Sequence, residues 1–374
     1  MVRRLVNSTD IFVVGGGPAG LAMAIAARQR GFSVTVADGG QPPIDKACGE
    51  GFLPDGVAAL ENLGLPIPLG DAWPFRGIRF LSGELSADAP FSGSNFGLAV
   101  RRTNLHRVMM ERAAQLGVGL LWHTPVTGIS AEGVRLGRDI IRARWIVGAD
   151  GFNSRVRRWA GLEAGSRPRL RYAFRQHYRV EPWTDHMEVY WGNDCQGYAT
   201  AVGRDQLCVA LASENPSLRM EEGLRALPQL SARLQGAEVS SAERGALTGN
   251  RRFNRLSRGN VVLIGDASGN VDAITGEGIG LAFSQAIVLA DCLGTGDLSR
   301  YEREHRRLAL RPWLMARLML TLDRRPNLQR RTLQVFRKHP EIFRRLLELH
   351  VGALSPLHLA LDGLTLGWGL LTTE

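Results

Sequence analysis

The sequence predicts an α/β fold in which one nucleotide-binding unit is split around an inserted β-rich segment. Three observations carry this. Asp10-Ile-Phe-Val-Val14 runs straight into the glycine turn Gly15–Gly20 and then into the helical run Leu21–Arg28. From about 169 to 211 apolar and polar residues alternate, as in His186–Trp191 and Leu207–Leu211, the period of strands. Strand-then-helix character returns at Asn260–Ile264 and continues as long helical patterns to the C-terminus.

The first segment is a strand, a GxGxxG turn and a helix, the order of a dinucleotide-binding βαβ unit. Gly15 permits the tight turn, Gly17 lets a pyrophosphate approach the backbone, and Gly20 lets helix pack on strand, with Pro18 and Ala19 completing the turn. The helix N-terminus points unpaired N–H groups at the phosphates. A second strand, Phe32–Ala37, places Asp38 at the ribose position. The polar loop Asp45-Lys-Ala-Cys-Gly-Glu-Gly-Phe52 follows, with a helical run over Pro54–Leu63, strands within Pro74–Leu98 and a helix over Thr103–Leu116. Leu120–Trp145 reads as a strand meander that ends in the buried strand Trp145–Gly148.

Two further strings lie at strand ends. In Gly148-Ala-Asp-Gly-Phe-Asn-Ser-Arg-Val-Arg157, Asp150 is placed to meet ligand hydroxyls or to fix a neighbouring loop, and Ser154, Arg155 and Arg157 open a helix with donors suited to phosphate. In Gly265-Asp-Ala-Ser-Gly-Asn-Val-Asp-Ala-Ile-Thr-Gly-Glu-Gly-Ile-Gly280, Asp266 follows an apolar strand, and Gly276, Gly278, Ile279 and Gly280 open a helix whose N–H groups can stabilise negative charge.

Taken together, in this order and spacing, the strings resemble flavoprotein monooxygenases of the p-hydroxybenzoate hydroxylase type and the related geranylgeranyl reductases, over roughly residues 10 to 325. The resemblance implies a Rossmann-like FAD-binding domain from residues 1–75, 99–165 and 246–325, a substrate-binding β-sheet domain from 76–98 and 166–245, and a C-terminal helical segment over 326–374. By the same resemblance Gly15, Gly17, Gly20 and Asp38 hold the ADP half of FAD, and Arg102 reaches FAD from its helix start. Asp150 buttresses the cofactor, Asp266 binds the ribityl-pyrophosphate region, and Gly276 to Gly280 lie beside the isoalloxazine.

The chain departs from the common hydroxylase string: it has Gly269 in place of a histidine, Ala273 in place of a proline and Gly280 in place of an asparagine. The loop around Cys48 looks instead like the reductase and halogenase branch. Cys48 is expected near the isoalloxazine, as a small buried side chain or as a group that tunes or links the flavin. The paired tryptophans and active-site lysine of the halogenases are missing, since no WxW occurs and Lys46 lies in the flavin loop. In the middle region Arg175-Gln-His-Tyr178, Tyr190-Trp191 and Gln196-Gly-Tyr198 supply the polar and aromatic side chains expected to face substrate. Of these His177, Gln196 and Tyr198 are the catalytic candidates, with His177 as a proton relay and Gln176, Tyr190 and Gln196 as groups that orient a phenol or enol.

The activity expected from this pattern is hydroxylation of an aromatic or polyketide-like small molecule by an NAD(P)H-dependent monooxygenase, through a flavin C4a-hydroperoxide. The alternative is a reductase of isoprenoid double bonds, and a non-enzymatic FAD-binding protein is a third class. NAD(P)H is expected as a transient reductant, because a second nicotinamide-binding unit is not evident.

Composition agrees with an ordinary globular enzyme: 374 residues, 44% hydrophobic and 22% charged. The net charge of +10 is almost wholly arginine, Lys46 and Lys338 being the only lysines, and it comes without a nucleic-acid motif. Cys48, Cys195, Cys208 and Cys292 lack metal or disulfide spacing, so no metal is expected, and reduced thiols fit a cytoplasmic location. No charge-free segment of transmembrane length is seen. After the basic stretch 324–345, Leu354, Leu357, Leu361, Leu364, Trp368 and Leu371 recur at helical spacing. That stripe is expected to pack on the domain core rather than to touch a membrane.

Overall fold

A computed structural model of the chain describes residues 8–68, 70–166 and 169–354. The first sheet runs in the order Ser257–Arg258, Val261–Leu263, Asp139–Gly148, Ser8–Val14, Val34–Ala37, Gly119–Leu121. Its central strands are parallel, and their apolar runs are buried, as a sheet covered on both faces requires. The register brings the strand ends to one level: Val14 pairs with Gly148 and with Ala37, and Gly148 with Leu263. The residues that follow are therefore Gly15, Asp38, Asp150 and Asp266, four segments of the chain delivered to one edge. This carboxyl edge is where open α/β sheets bind ligands.

The helices Pro18–Gln29 and Gly278–Thr295 share one core, in which Leu21, Ile25, Phe283, Ala286 and Leu289 are fully buried. Gly278–Thr295 is apolar and long enough to cross a membrane, although it carries Asp291. Its packing against Pro18–Gln29 and Leu298–Asp323 makes it a core helix here.

The second sheet is built from residues 77–90 and 171–248. Its order is Glu238–Val239, Arg171–Arg179, Gln206–Ser213, Cys195–Gly203, Met187–Trp191, Gly77–Ser82, Leu85–Pro90, with Arg244–Thr248 also pairing with Arg171–Arg179. Met187–Trp191 pairs parallel with Gly77–Ser82, which joins the two sequence-distant parts. Helices Leu298–Asp323, Pro326–Lys338 and Pro340–His350 close one face of this sheet. Phe343 stacks on Phe336 at 4.7 Å and on Phe80 at 5.1 Å, and Phe80 stacks on Trp191 at 4.6 Å. All four cysteines are unpaired. The apolar stripe from Leu357 to Leu371 lies outside the described residues.

Candidate active site

The strand ends open into a cavity of about 880 Å³ between the two sheets, within the size range of small-molecule sites. Gly15, Gly17, Pro18, Ala19, Asp38, Cys48, Arg102, Asp150, Asp266, Gly276, Gly278, Ile279 and Tyr198 all line it. Gly20, Gly280, His177 and Gln196 do not.

Each wall has a local cause. Gly15 has φ +109, and a Cβ there would lie 2.5 Å from the Ala149 carbonyl oxygen. A Cβ at Gly20 would lie 1.9 Å from the Gly15 carbonyl oxygen, so helix and turn meet there backbone to backbone. Gly280 has the same kind of duty: its Cβ would sit 3.0 Å from the Gly56 Cα, so it serves the packing of Gly278–Thr295 on Pro54–Asn62 and not the cavity surface.

The acids are held before any ligand arrives. Asp38 accepts from the Gly16 and Gly40 N–H groups, each at 2.7 Å. Asp150 accepts from the Ser154 hydroxyl and from the Arg155 and Val156 N–H groups, so its carboxylate anchors the helix Arg155–Trp159. Asp266 faces Lys46 Nζ at 3.5 Å, and this half-exposed pair is worth little by itself. Arg157 is 2% exposed. Its guanidinium pairs with Glu163 and donates to the carbonyls of Ala267 and Phe152. It ties the Asp150 loop to the Asp266 loop, which corrects the expectation that it offers its charge to phosphate.

The donor set suits a dinucleotide. Arg102 is buried and lines the cavity, and among the described residues its Nε has no hydrogen-bond partner; such an orphaned charged donor calls for an anion. Asn270 also lines the cavity, and its Oδ1 has no partner among the described residues. The helix Gly278–Thr295 begins at the cavity wall, where its dipole favours negative charge.

The profile of the family described as FAD binding domain matches residues 8–296. The chain belongs to this family. FAD is accordingly its cofactor, and the protein is an FAD-dependent oxidoreductase with a Rossmann-like FAD-binding domain. The FAD-binding chain is 29% identical over 326 residues to a menaquinone reductase of Mycobacterium tuberculosis, covering 79% of this chain and 78% of that protein. It is 27% identical over 328 residues to a digeranylgeranylglycerophospholipid reductase of Methanocella arvoryzae, covering 79% and 82%. Its fold is similar to that of a flavoprotein/dehydrogenase from Cytophaga hutchinsonii, with a TM-score of 0.79 at 21% identity over 92% of this chain and 93% of that one.

The catalytic candidates stand differently. Tyr198 lines the FAD cavity, with its hydroxyl 3.2 Å from Gln196 Oε1 and 3.3 Å from the Ile274 carbonyl oxygen. Burial pushes its phenol well above the ordinary range, so it is a neutral donor. Gln196 is fully buried behind it and accepts from Arg171 at 3.1 Å. His177 is 1% exposed and lies in a polar knot outside the cavity lining. Its Nε2 lies 2.7 Å from Glu50 Oε2 and its Nδ1 2.8 Å from Ser241 Oγ. Glu50 in turn accepts from the Arg102 backbone N–H at 2.9 Å. Thus His177 is a support for Glu50 and Arg102. It does not line the cavity: the register puts it on the same face of the sheet as Tyr198, beside Cys208 and Thr200, but there Glu50 lies over it.

Tyr190 and Gln176 are likewise taken up: Tyr190 donates to Glu188, and Gln176 donates to the Ser241 carbonyl. Glu50, His177 and Cys208 offer one ligand atom each within 4.8 Å of one another. Arg175 and Arg101 stand 3.3 and 3.5 Å from His177 Nδ1, and those guanidiniums make the spot a poor one for a cation. Cys48 lines the cavity, and burial, opposed by Arg102, raises its thiol above the ordinary range. A neutral thiol is a weak nucleophile.

Sequence reasoning passed over three supports. Arg171 donates to Asp272 at 2.8 Å, both side chains being 2% exposed or less. Asp272 caps the turn Ala273–Thr275 by accepting from the Ile274 N–H at 3.0 Å. Thr248 accepts from the Ala273 N–H at 2.8 Å. An Asp two residues before Ile274 is a capping signal that was legible; its partner Arg171, 101 residues away, was not.

A second, narrow cavity of about 80 Å³ lies between the second sheet and the C-terminal helices. Ile78, Phe80, Trp191, Met319, Phe336 and Phe343 are among its apolar walls. Met187, Tyr198 and Gly276 line both cavities, so the two are neighbours. Among the described residues, the side chains with polar atoms in this lining are Tyr198, Trp191, Thr275 and His350.

Proposed function

We propose that the protein reduces a carbon–carbon double bond in a slender apolar, isoprenoid-type substrate, using FAD that is recharged by NAD(P)H. The observation that carries this reading is the narrow apolar cavity that shares Tyr198 and Gly276 with the FAD cavity. A phenol would need polar groups to orient its ring, and those expected of the second sheet, Gln176, Tyr190 and Gln196, are bound into the protein interior instead. The similarity to a menaquinone reductase and to a digeranylgeranylglycerophospholipid reductase supports the same reading.

In this reading Gly15, Gly17, Pro18, Ala19, Gly20 and Asp38 hold the ADP half of FAD, Arg102 meets its pyrophosphate, and Asp150 and Asp266 meet its hydroxyls. Gly276, Gly278, Ile279 and Gly280 form the helix start at its flavin end. Bound FAD supplies hydride chemistry. Around it, the apolar walls exclude water, the helix Gly278–Thr295 favours negative charge at its N-terminus, Tyr198 borders the meeting point of the two cavities, and the protonated Cys48 thiol lines the FAD cavity.

The test is product mass. The holoprotein is incubated with NAD(P)H and either menaquinone or a digeranylgeranyl glycerophospholipid, without oxygen. A gain of two hydrogens is the expected result. A product heavier by one oxygen, formed only in air, returns the protein to the hydroxylases and overturns the proposal.

A further inference from the structure

His350, the last residue of the helix Pro340–His350, lines the apolar cavity although it is a polar group. Its Nε2 lies 3.4 Å from Oε2 of Glu277, which is 6% exposed. Glu277 sits between Gly276, which lines both cavities, and Gly278, which lines the FAD cavity. Among the described residues, His350 Nδ1 and Glu277 Oε2 are buried and have no hydrogen-bond partner. The stability of the fold gives no reason to keep such a pair.

The surroundings set the protonation of the two groups. Burial first, and then Asp55 on the helix Pro54–Asn62, push the Glu277 carboxyl well above its ordinary range, against Arg311 on the helix Leu298–Asp323 and the Thr275 hydroxyl. Asp55 is itself raised by burial, with Arg311 opposing. Burial lowers His350 to about 4, with Thr275 opposing and Arg311 assisting. Both shifts favour the uncharged forms, a carboxylic acid beside a neutral imidazole: one transferable proton, next to a group that accepts at one nitrogen and donates at the other.

We propose that Glu277 and His350 form a proton relay into the apolar cavity, which delivers the proton half of the reduction. The relay rests on the reductase reading above. The π bond of the substrate breaks; one carbon gains the hydride, whose source is reduced FAD, and its neighbour gains the proton from His350 Nδ1. His350 Nε2 takes the Glu277 proton at the same time, and solvent reprotonates Glu277. The substrate gains two electrons and two hydrogens, and the cofactor gives up two electrons. His350 is the catalytic residue and Glu277 its positioning and proton-storing partner.

Two measurements on the intact holoprotein test this, with Glu277→Gln and His350→Gln as variants and Glu277→Asp as the conservative control. FAD absorbance at wild-type stoichiometry confirms that each variant folds. Without substrate, the infrared spectrum at neutral pH carries a carboxylic-acid C=O band that Glu277→Gln abolishes; an ionised Glu277 at that pH overturns the relay whatever the substrate. With menaquinone as oxidant, each Gln variant reoxidises the reduced flavin at least tenfold more slowly, while NAD(P)H reduces it at the wild-type rate. Glu277→Asp restores part of the rate and shifts its pH profile. A product with two added hydrogens formed at an unchanged rate and pH profile in both Gln variants overturns the relay alone. A product heavier by one oxygen overturns the reductase reading.

Discussion

Arg102 shows how much one side chain can carry. Its backbone is held by Glu50, its guanidinium is buried at the FAD cavity, and its Nε is unpartnered. A charge-assisted hydrogen bond to an anion contributes about 1.5–3 kcal/mol. Arg102→Ala is therefore expected to weaken FAD binding by about 10- to 100-fold, which flavin fluorescence during titration of the apoprotein reads directly; an unchanged affinity would remove Arg102 from the pyrophosphate site. Gly20 acts through space alone. An added methyl would stand 1.9 Å from the Gly15 carbonyl oxygen, so Gly20→Ala must push helix from turn. Overpacking of this kind costs about 1–3 kcal/mol or more, and a lower melting temperature together with loss of bound FAD is the expected outcome. At this scale much was legible. Gly15, Gly17, Asp38, Asp150 and Asp266 are set by local chain geometry, a strand end followed by a turn. His177 differs from the expectation because the sequence shows which residues share a face but not which distant segment comes to cover them; here Glu50, 127 residues away, does.

At the scale of elements, the segment Asp272–Gly278 is the joint of the molecule. Asp272 caps its turn, Arg171 of the second sheet grips Asp272, and the helix Gly278–Thr295 leaves from its end. Removing one partner of a buried ion pair costs about 3–5 kcal/mol. Arg171→Met should lower stability by that amount and change the absorbance of bound FAD, since the turn beside the cavity loses its anchor; an unaltered spectrum would show that the turn holds itself. Helix Pro340–His350 meets the sheet through Phe343, packed between Phe80 and Phe336. Its truncation in Phe343→Ala would cost about 3–5 kcal/mol. These joints were invisible in the sequence, because each is a contact between segments that the chain order separates.

For the whole molecule, the sign of pH dependence follows from two buried histidines. His305, hydrogen-bonded to Ser268 at 2.8 Å, and His350 are both lowered by burial from 6.5 to about 4. A histidine depressed in the folded state takes up its proton more readily when unfolded. The stability it contributes is complete above pH 6.5 and is lost as pH falls toward 4. Each residue accounts for about 3 kcal/mol across that window. Glu277 runs the other way: raised when folded, it contributes stability that is full below the ordinary carboxylate range and is lost as pH rises through its folded value. Melting between pH 7 and 5 should therefore show falling stability in the wild type and a shallower fall in His305→Gln; parallel curves would exclude His305 as a cause.

By itself the sequence determined the α/β class, the glycine turn and the acids at the strand ends, because these depend on short stretches whose backbone geometry is local; the identity of the cofactor came from the family resemblance of three such stretches taken together. The tertiary structure alone decided the reactive end. It turned His177 into a support, joined Arg171 to Asp272, and set Glu277 against His350 beside a narrow apolar cavity. The physical reason is that burial and the approach of sequence-distant side chains set protonation, access to water and the shape of a cavity. None of these is a property of the residues taken in chain order.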